Sequence, residues 1–180
     1  MNIAKGRDRI VIVIPELGIV IKFPFIHLVM VVKQIYGYAT EHEWKRMRVL
    51  WRRGVEERGG FMNSLFGGIR ANWLEGTFYR ETHNHFIQPT YFSFLGLINI
   101  QEWGNMCTVE DGDELLAFWT ELRIITEEKV YVDPHHFQNP ENYCMHDTHV
   151  RMTDYGNTKV QQILRIYGDI LAENLHPPHH

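Results

Sequence analysis

The segment from Arg9 to Pro24, RIVIVIPELGIVIKFP, constrains the fold more than any other. Two β-branched runs flank Pro-Glu-Leu-Gly. Branched side chains favour pleated backbone, and glycine adopts the left-handed conformation a turn requires, so the segment predicts an antiparallel hairpin. Lys22 falls at the end of its second strand. Thr90 to Gly104, TYFSFLGLINIQEWG, repeats the pattern about Leu95-Gly96 and predicts a second hairpin.

Helical periodicity occupies the intervals. From Thr40 to Arg58, Trp44, Met47, Trp51 and Val55 recur at helical spacing, with Lys45, Arg46, Arg48, Arg52 and Arg53 on the remaining faces. The basic side (residues 40–58) suits a phosphate or an acidic protein partner; equally, it suits a solvated face balanced by Glu41, Glu43, Glu56 and Glu57. After Gly59-Gly60, a helix is predicted from Asn63 or Ser64 to about Glu81, with Glu75 on the face shared by Ala71 and Phe78. A carboxylate there would be partly buried and would want a cation; the alternative is a surface pair with a neighbouring arginine. Leu115, Phe118, Trp119, Leu122 and Ile125 define a core-facing helix capped by the acidic Asp111 to Glu114 segment. Thr158 to Asn174 defines the last helix.

These elements describe a single α+β domain over residues 1–180, without repeats or linkers. With 180 residues, 44% of them hydrophobic, burial of roughly two-thirds of the unfolded surface is expected. A net charge of −4 argues against global attraction to nucleic acid or an anionic membrane, leaving only local patches. Cys107 and Cys144 suggest neither a disulfide framework nor a cysteine zinc site. The apolar run Ile26 to Ile35 is too short to cross a bilayer, and MNIAKGRDR lacks the apolar core of a signal peptide. A cytoplasmic location is expected.

Val130 to Gly156, VYVDPHHFQNPENYCMHDTHVRMTDYG, is the stretch richest in chemistry. NYCMH and HVRMT are predicted strands joined by a His-Asp-Thr turn, which places Asn142 at the entrance and Asp154 at the exit of one hairpin. Two oxygen donors there suit Mg²⁺, a hard cation held by one or two carboxylates plus substrate phosphates. The histidine sets, His83 with His85, His135-His136, His146 with His149, and His176, His179 and His180, do not locally supply the three or four ligands zinc needs. The terminal HPPHH is expected to be a disordered end.

In this order the motifs IVIKFP, NWLEGTFY, INIQEWG, HHFQNPEN and TDYG resemble a minimal protein-kinase-like or aminoglycoside-phosphotransferase-like fold, spanning Ile10 to Gly156. The resemblance implies a small antiparallel N-terminal sheet (1–104, with a helical insertion at 26–60) and a reduced C-terminal lobe (105–180). It implies that Lys22 reaches the phosphates of ATP and pairs with Glu75. Gln101, Glu102 and Trp103 would form the hinge that binds adenine, and Asn142 and Asp154 would hold Mg²⁺. The sequence departs from the family at Phe137, which stands five residues before Asn142 where the catalytic aspartate is expected; Asp133, in an Asp-x-His setting, is the alternative base. A glycine-rich phosphate loop and an activation segment are also missing. The implied function is therefore a nucleotide-binding pseudokinase or interaction module. The alternatives are an active small ATP- and Mg²⁺-dependent phosphotransferase and a non-catalytic, structural or partner-binding protein of compact viral type.

Overall fold

The branched runs of the first hairpin form β2 (Arg9–Ile14) and β3 (Ile19–Pro24), joined by a short turn of helix that ends on Gly18 at φ 64°. The structure, a computed structural model, describes residues 1–107, 112–146 and 149–175. Ahead of β2 lies β1 (Asn2–Lys5), an exposed edge strand that the polar start of the chain does not announce. After β3 come α1 (Leu28–Thr40), α2 (Trp44–Arg52) and α3 (Phe61–Thr82). The second hairpin follows as β4 (Thr90–Phe94) and β5 (Ile98–Glu102). Then come β6 (Asn105–Met106), α4 (Gly112–Ile125), the single turn α5 (Pro134–Phe137), β7 (Tyr143–His146), β8 (His149–Met152) and α6 (Thr158–Asn174).

The architecture is α+β. An antiparallel five-stranded sheet runs in the order β1-β2-β3-β5-β4, and β6-β7-β8 form a separate three-stranded one. The helix expected over 40–58 is shorter: α2 covers only Trp44–Arg52 of that span, and α1 ends where it was expected to begin. Thr40 Oγ1 donates back to the carbonyls of Tyr36 and Gly37, and His42 turns left-handed at φ 57°, so the chain breaks before α2 starts. Of the apolar run in α1, only Val31 is buried.

The main hydrophobic core lies in the C-terminal half. Leu122 of α4, Phe137, Tyr143 of β7, Met152 of β8 and Leu164 and Leu171 of α6 are all fully buried, each contributing about 1.5–3 kcal/mol of transfer free energy where the side chain is a large apolar one. The expected acidic cap at Asp111 to Glu114, the turn at His146 to Thr148 and the tail histidines 176–180 lie outside the described residues and side chains.

One helix ties this core to the five-stranded sheet. Along α3, Gly68 and Gly76 allow close approach: a Cβ on Gly76 would sit 2.4 Å from the Cβ of Ser93 in β4. Buried Asn72 donates to the carbonyls of Lys22 (3.2 Å) and Gly96 (3.1 Å), which fixes the helix over β3 and the β4–β5 turn.

Strand register then decides which side chains meet α3. Val11 pairs with Lys22, Val13 with Val20, Val20 with Gln101 and Lys22 with Asn99, so these residues, together with Arg9, share one face. The other face carries Ile10, Ile12, Ile19, Ile21, Phe23 and Ile100. In β2, β3 and β5, the buried residues are Lys22, Asn99 and Gln101, and every isoleucine is partly exposed.

Candidate functional site

Register places Lys22 on the sheet face that α3 covers, and the close packing of α3 sets Glu75 against it. Lys22 Nζ lies 3.1 Å from Glu75 Oε2 and donates to the carbonyl of Thr153 at 2.7 Å. Glu75 is fully buried and accepts three further hydrogen bonds: from Arg9 Nη1 (2.5 Å), Asn99 Nδ2 (3.1 Å) and Gln101 Nε2 (3.1 Å). Burial of a lone carboxylate is prohibitive, so the sheet spends its polar face on this one group.

Arg9 extends the chain of charges. Its Nη2 reaches Asp154 Oδ1 at 2.6 Å, giving an alternating series Lys22, Glu75, Arg9, Asp154 with no net charge. Burial lowers the Lys22 ammonium below the usual lysine range, assisted by the Arg9 charge and opposed by Glu75 and Asp154. For Asp154, burial alone would raise the carboxyl; the charges of Arg9, Lys22 and His136 and the Arg9 hydrogen bond outweigh it and bring the group down to about 2. The Asp154 side chain nonetheless remains 35% exposed, so it borders open space.

Asn142 and Asp154 do lie at one end of the C-terminal hairpin, because the Thr153 amide donates to the Asn142 carbonyl at 2.7 Å. Asn142 Nδ2 donates to the carbonyl of His136 (2.8 Å), and among the described residues its Oδ1 has no partner. Asp133 is held at both oxygens, by His136 Nδ1 at 2.8 Å and by Asn157 Nδ2 at 3.0 Å. Phe137 is fully buried and points into the core. Arg9, Lys22, Asp133, Asn142 and Asp154 all line one cleft of about 1180 Å³.

The strip at residues 101–103 borders the same cleft, and several of its polar groups are already engaged. The Gln101 side chain turns inward to Glu75, Thr90 and Tyr155. Glu102 pairs with Arg151 at 2.5 Å, its amide donates to the Pro89 carbonyl at 2.9 Å, and the Trp103 amide donates to the Gly18 carbonyl at 2.9 Å. Central placement of β5 accounts for this, since a strand flanked on both sides uses its donors in the ladder.

A divalent ion on Asn142 and Asp154 would need oxygens at about 2.1 Å in near-octahedral array. Asn142 Oδ1 and the second oxygen of Asp154 could serve. The guanidinium of Arg9 already holds the first oxygen of Asp154, and an ion there would face a like charge within a few ångströms. The donor set therefore does not fit Mg²⁺ while Arg9 stays in place. Elsewhere, among the described residues, no three His, Cys, Asp or Glu converge on a common point.

Arg9 is the residue that sequence reasoning missed. The signal existed: it lies on β2 at the same parity as Val11, the partner of Lys22, so the hairpin register alone puts Arg9 on the Lys22 face. The turn that precedes it, Gly6 to Asp8, joins β1 to β2 and lines the cleft, where no strand was read from the sequence.

Among the described residues no helix is long and apolar enough to cross a membrane. Comparison of the chain with protein-family models, curated proteins and solved structures finds no match.

Proposed function

We propose that the chain is a minimal kinase-like domain whose cleft binds a nucleotide, acting as a pseudokinase or interaction module rather than as a phosphotransferase. One observation carries this reading: Lys22, paired with the buried Glu75 and bonded to the Thr153 carbonyl, lines one cleft of about 1180 Å³ together with Asn142 and Asp154. Lysine and arginine donors beside such a cavity suit phosphate oxygens, and the volume accommodates a nucleotide. The five-stranded antiparallel sheet, the helix α3 bearing Glu75 and the hairpin ending at Asp154 support the kinase-like assignment.

Loss of phosphoryl transfer is supported at two positions. Phe137, five residues before Asn142, is buried and cannot accept a proton. Both oxygens of Asp133 are engaged by His136 and Asn157. A second reading, a small phosphotransferase with Asp133 as base, is favoured by the position of that carboxylate on the cleft wall. As an interaction module, the domain would present Lys45, Arg46, Arg48 and Arg52 of α2, all exposed, to an acidic protein partner.

ATP titration monitored by thermal unfolding tests the reading. A ligand bound only by the folded state stabilises by about 2.7 kcal/mol at a hundredfold excess over Kd. The melting temperature is expected to rise with ATP, and the rise to vanish in Lys22→Met. No rise at millimolar ATP overturns nucleotide binding; ATP turnover that is lost in Asp133→Asn with binding retained establishes the enzyme instead.

A further inference from the structure

Arg9 holds the place that a metal would need. Its side chain is only 13% exposed, anchored to Glu75 through Nη1 and to Asp154 through Nη2, and it lines the cleft beside Lys22. A guanidinium carries five N–H donors in a planar fork, of which these anchors require two. The remaining N–H groups have no side-chain partner among the described residues, and Arg9 lines the cleft. Lys22 similarly directs two of its three donors to Glu75 and the Thr153 carbonyl.

Two separate features indicate that this arrangement is built and not incidental. The Arg9 position is fixed from three directions: the β2 ladder, the fully buried carboxylate on α3 and the carboxylate that follows β8. Next, the charges balance. Glu75 and Asp154 are matched by Lys22 and Arg9, so a dication added at Asp154 would leave the cluster with two excess positive charges, in a place where the surroundings weakly screen them. A phosphate group adds negative charge to the same balanced cluster, but unlike a metal it can accept from the unused N–H groups of Arg9, whose planar fork matches its geometry.

We infer that Arg9 is a resident cation standing in for the metal, so that the cleft binds the phosphates of its nucleotide without a divalent ion. This rests on the nucleotide-binding reading and adds the residue that contacts the phosphates and the metal independence that follows. In this arrangement Asp154 is a positioning residue: it orients Arg9 and is not a metal ligand.

Calorimetric titration of the whole chain with ATP, once in excess Mg²⁺ and once in EDTA, separates the alternatives. The apparent Kd in EDTA is expected to equal or improve on that in Mg²⁺, to within about twofold. In Arg9→Gln, ATP affinity in EDTA is expected to fall about tenfold or more, with part of the loss recovered by Mg²⁺ once Asp154 is released. Wild-type binding that appears only with Mg²⁺ overturns the inference while leaving nucleotide binding intact. Absence of binding in both buffers overturns both. Should Arg9→Gln fail to fold, the wild-type comparison alone still discriminates between these outcomes. Asp154→Asn adds an independent measurement: retained ATP binding in both buffers agrees with a positioning role, whereas loss of Mg²⁺-dependent binding contradicts it.

Discussion

The two faces of the five-stranded sheet have exchanged their usual environments. One face, carrying Arg9, Lys22, Asn99 and Gln101, contributes the residues that are buried or nearly so; the other, carrying Ile10, Ile12, Ile19, Ile21 and Ile100, leaves every one of its isoleucines partly exposed. A sheet built only for stability would place the isoleucines inward. The inversion shows that this part of the molecule is organised around a buried charge cluster, while apolar packing is concentrated on α4, α6 and β7-β8. Three of the four charges, Arg9, Lys22 and Glu75, come from the N-terminal half, and Asp154 links them to the C-terminal half where most of the apolar core lies.

Substitutions on the two faces should therefore differ in kind. The largest effect is expected for Glu75→Ala, which strands Lys22 and Arg9 without their shared partner; removal of one member of a buried ion pair costs about 3–5 kcal/mol, to be read by chemical denaturation. A cost under about 1 kcal/mol would mean that the cluster is solvated and the contrast between faces illusory. Gln101→Ala should cost about 1–3 kcal/mol, because its buried Nε2, whose two hydrogens serve Glu75, Thr90 and Tyr155 between them, is lost.

Acid should expose the same contrast. Asp154 has a folded-state pKa of about 2, below its ordinary 3.8, so the proton binds the unfolded chain more readily. Its stabilising contribution is complete above pH 4 and is lost as pH falls from about 4 through about 2. Denaturation midpoints measured across that interval should fall with acid, and Asp154→Asn should flatten that part of the profile. The smallest effect belongs to the isoleucine face: Ile21→Val should cost no more than about 0.5 kcal/mol, the low end for deletion of a methylene, since the site is only partly covered. A cost well above that would show that something packs on this face in solution.

Much of this fold is legible in the sequence where a single period governs the segment. The helix read from Thr158 to Asn174 has those bounds in the structure, because its apolar residues recur at helical spacing and Asn157 caps it by accepting from the Lys159 amide at 2.8 Å. Both hairpins are likewise visible, their turns marked by Gly18 and Gly96 at positive φ. Period fails elsewhere. The break between α1 and α2 at His42 depends on backbone conformation and on the Thr40 side-chain hydrogen bonds, neither of which alters the spacing of apolar residues. β1 is exposed on both faces and so carries no alternation to detect.

The candidate site is half visible from sequence. Lys22, Glu75, Asn142 and Asp154 stand out by type and position; the structure brings Lys22, Asn142 and Asp154 to one cleft and buries Glu75 behind Lys22. Burial of Glu75 is complete rather than partial, since Asn99 and Gln101 satisfy it from a strand distant in sequence. Arg9 is read as the first residue of the first hairpin, with no role attached to it; its register opposite Pro24 assigns it to the inner face.

Whether the polar face of the sheet is a phosphate site is best decided by a structure with a non-hydrolysable ATP analogue, determined in the presence of EDTA. Phosphate oxygens are expected within about 3 Å of Lys22 Nζ and the Arg9 guanidinium. Analogue found on the isoleucine face or along α1 and α2, with the Lys22–Glu75–Arg9–Asp154 series untouched, would contradict that assignment.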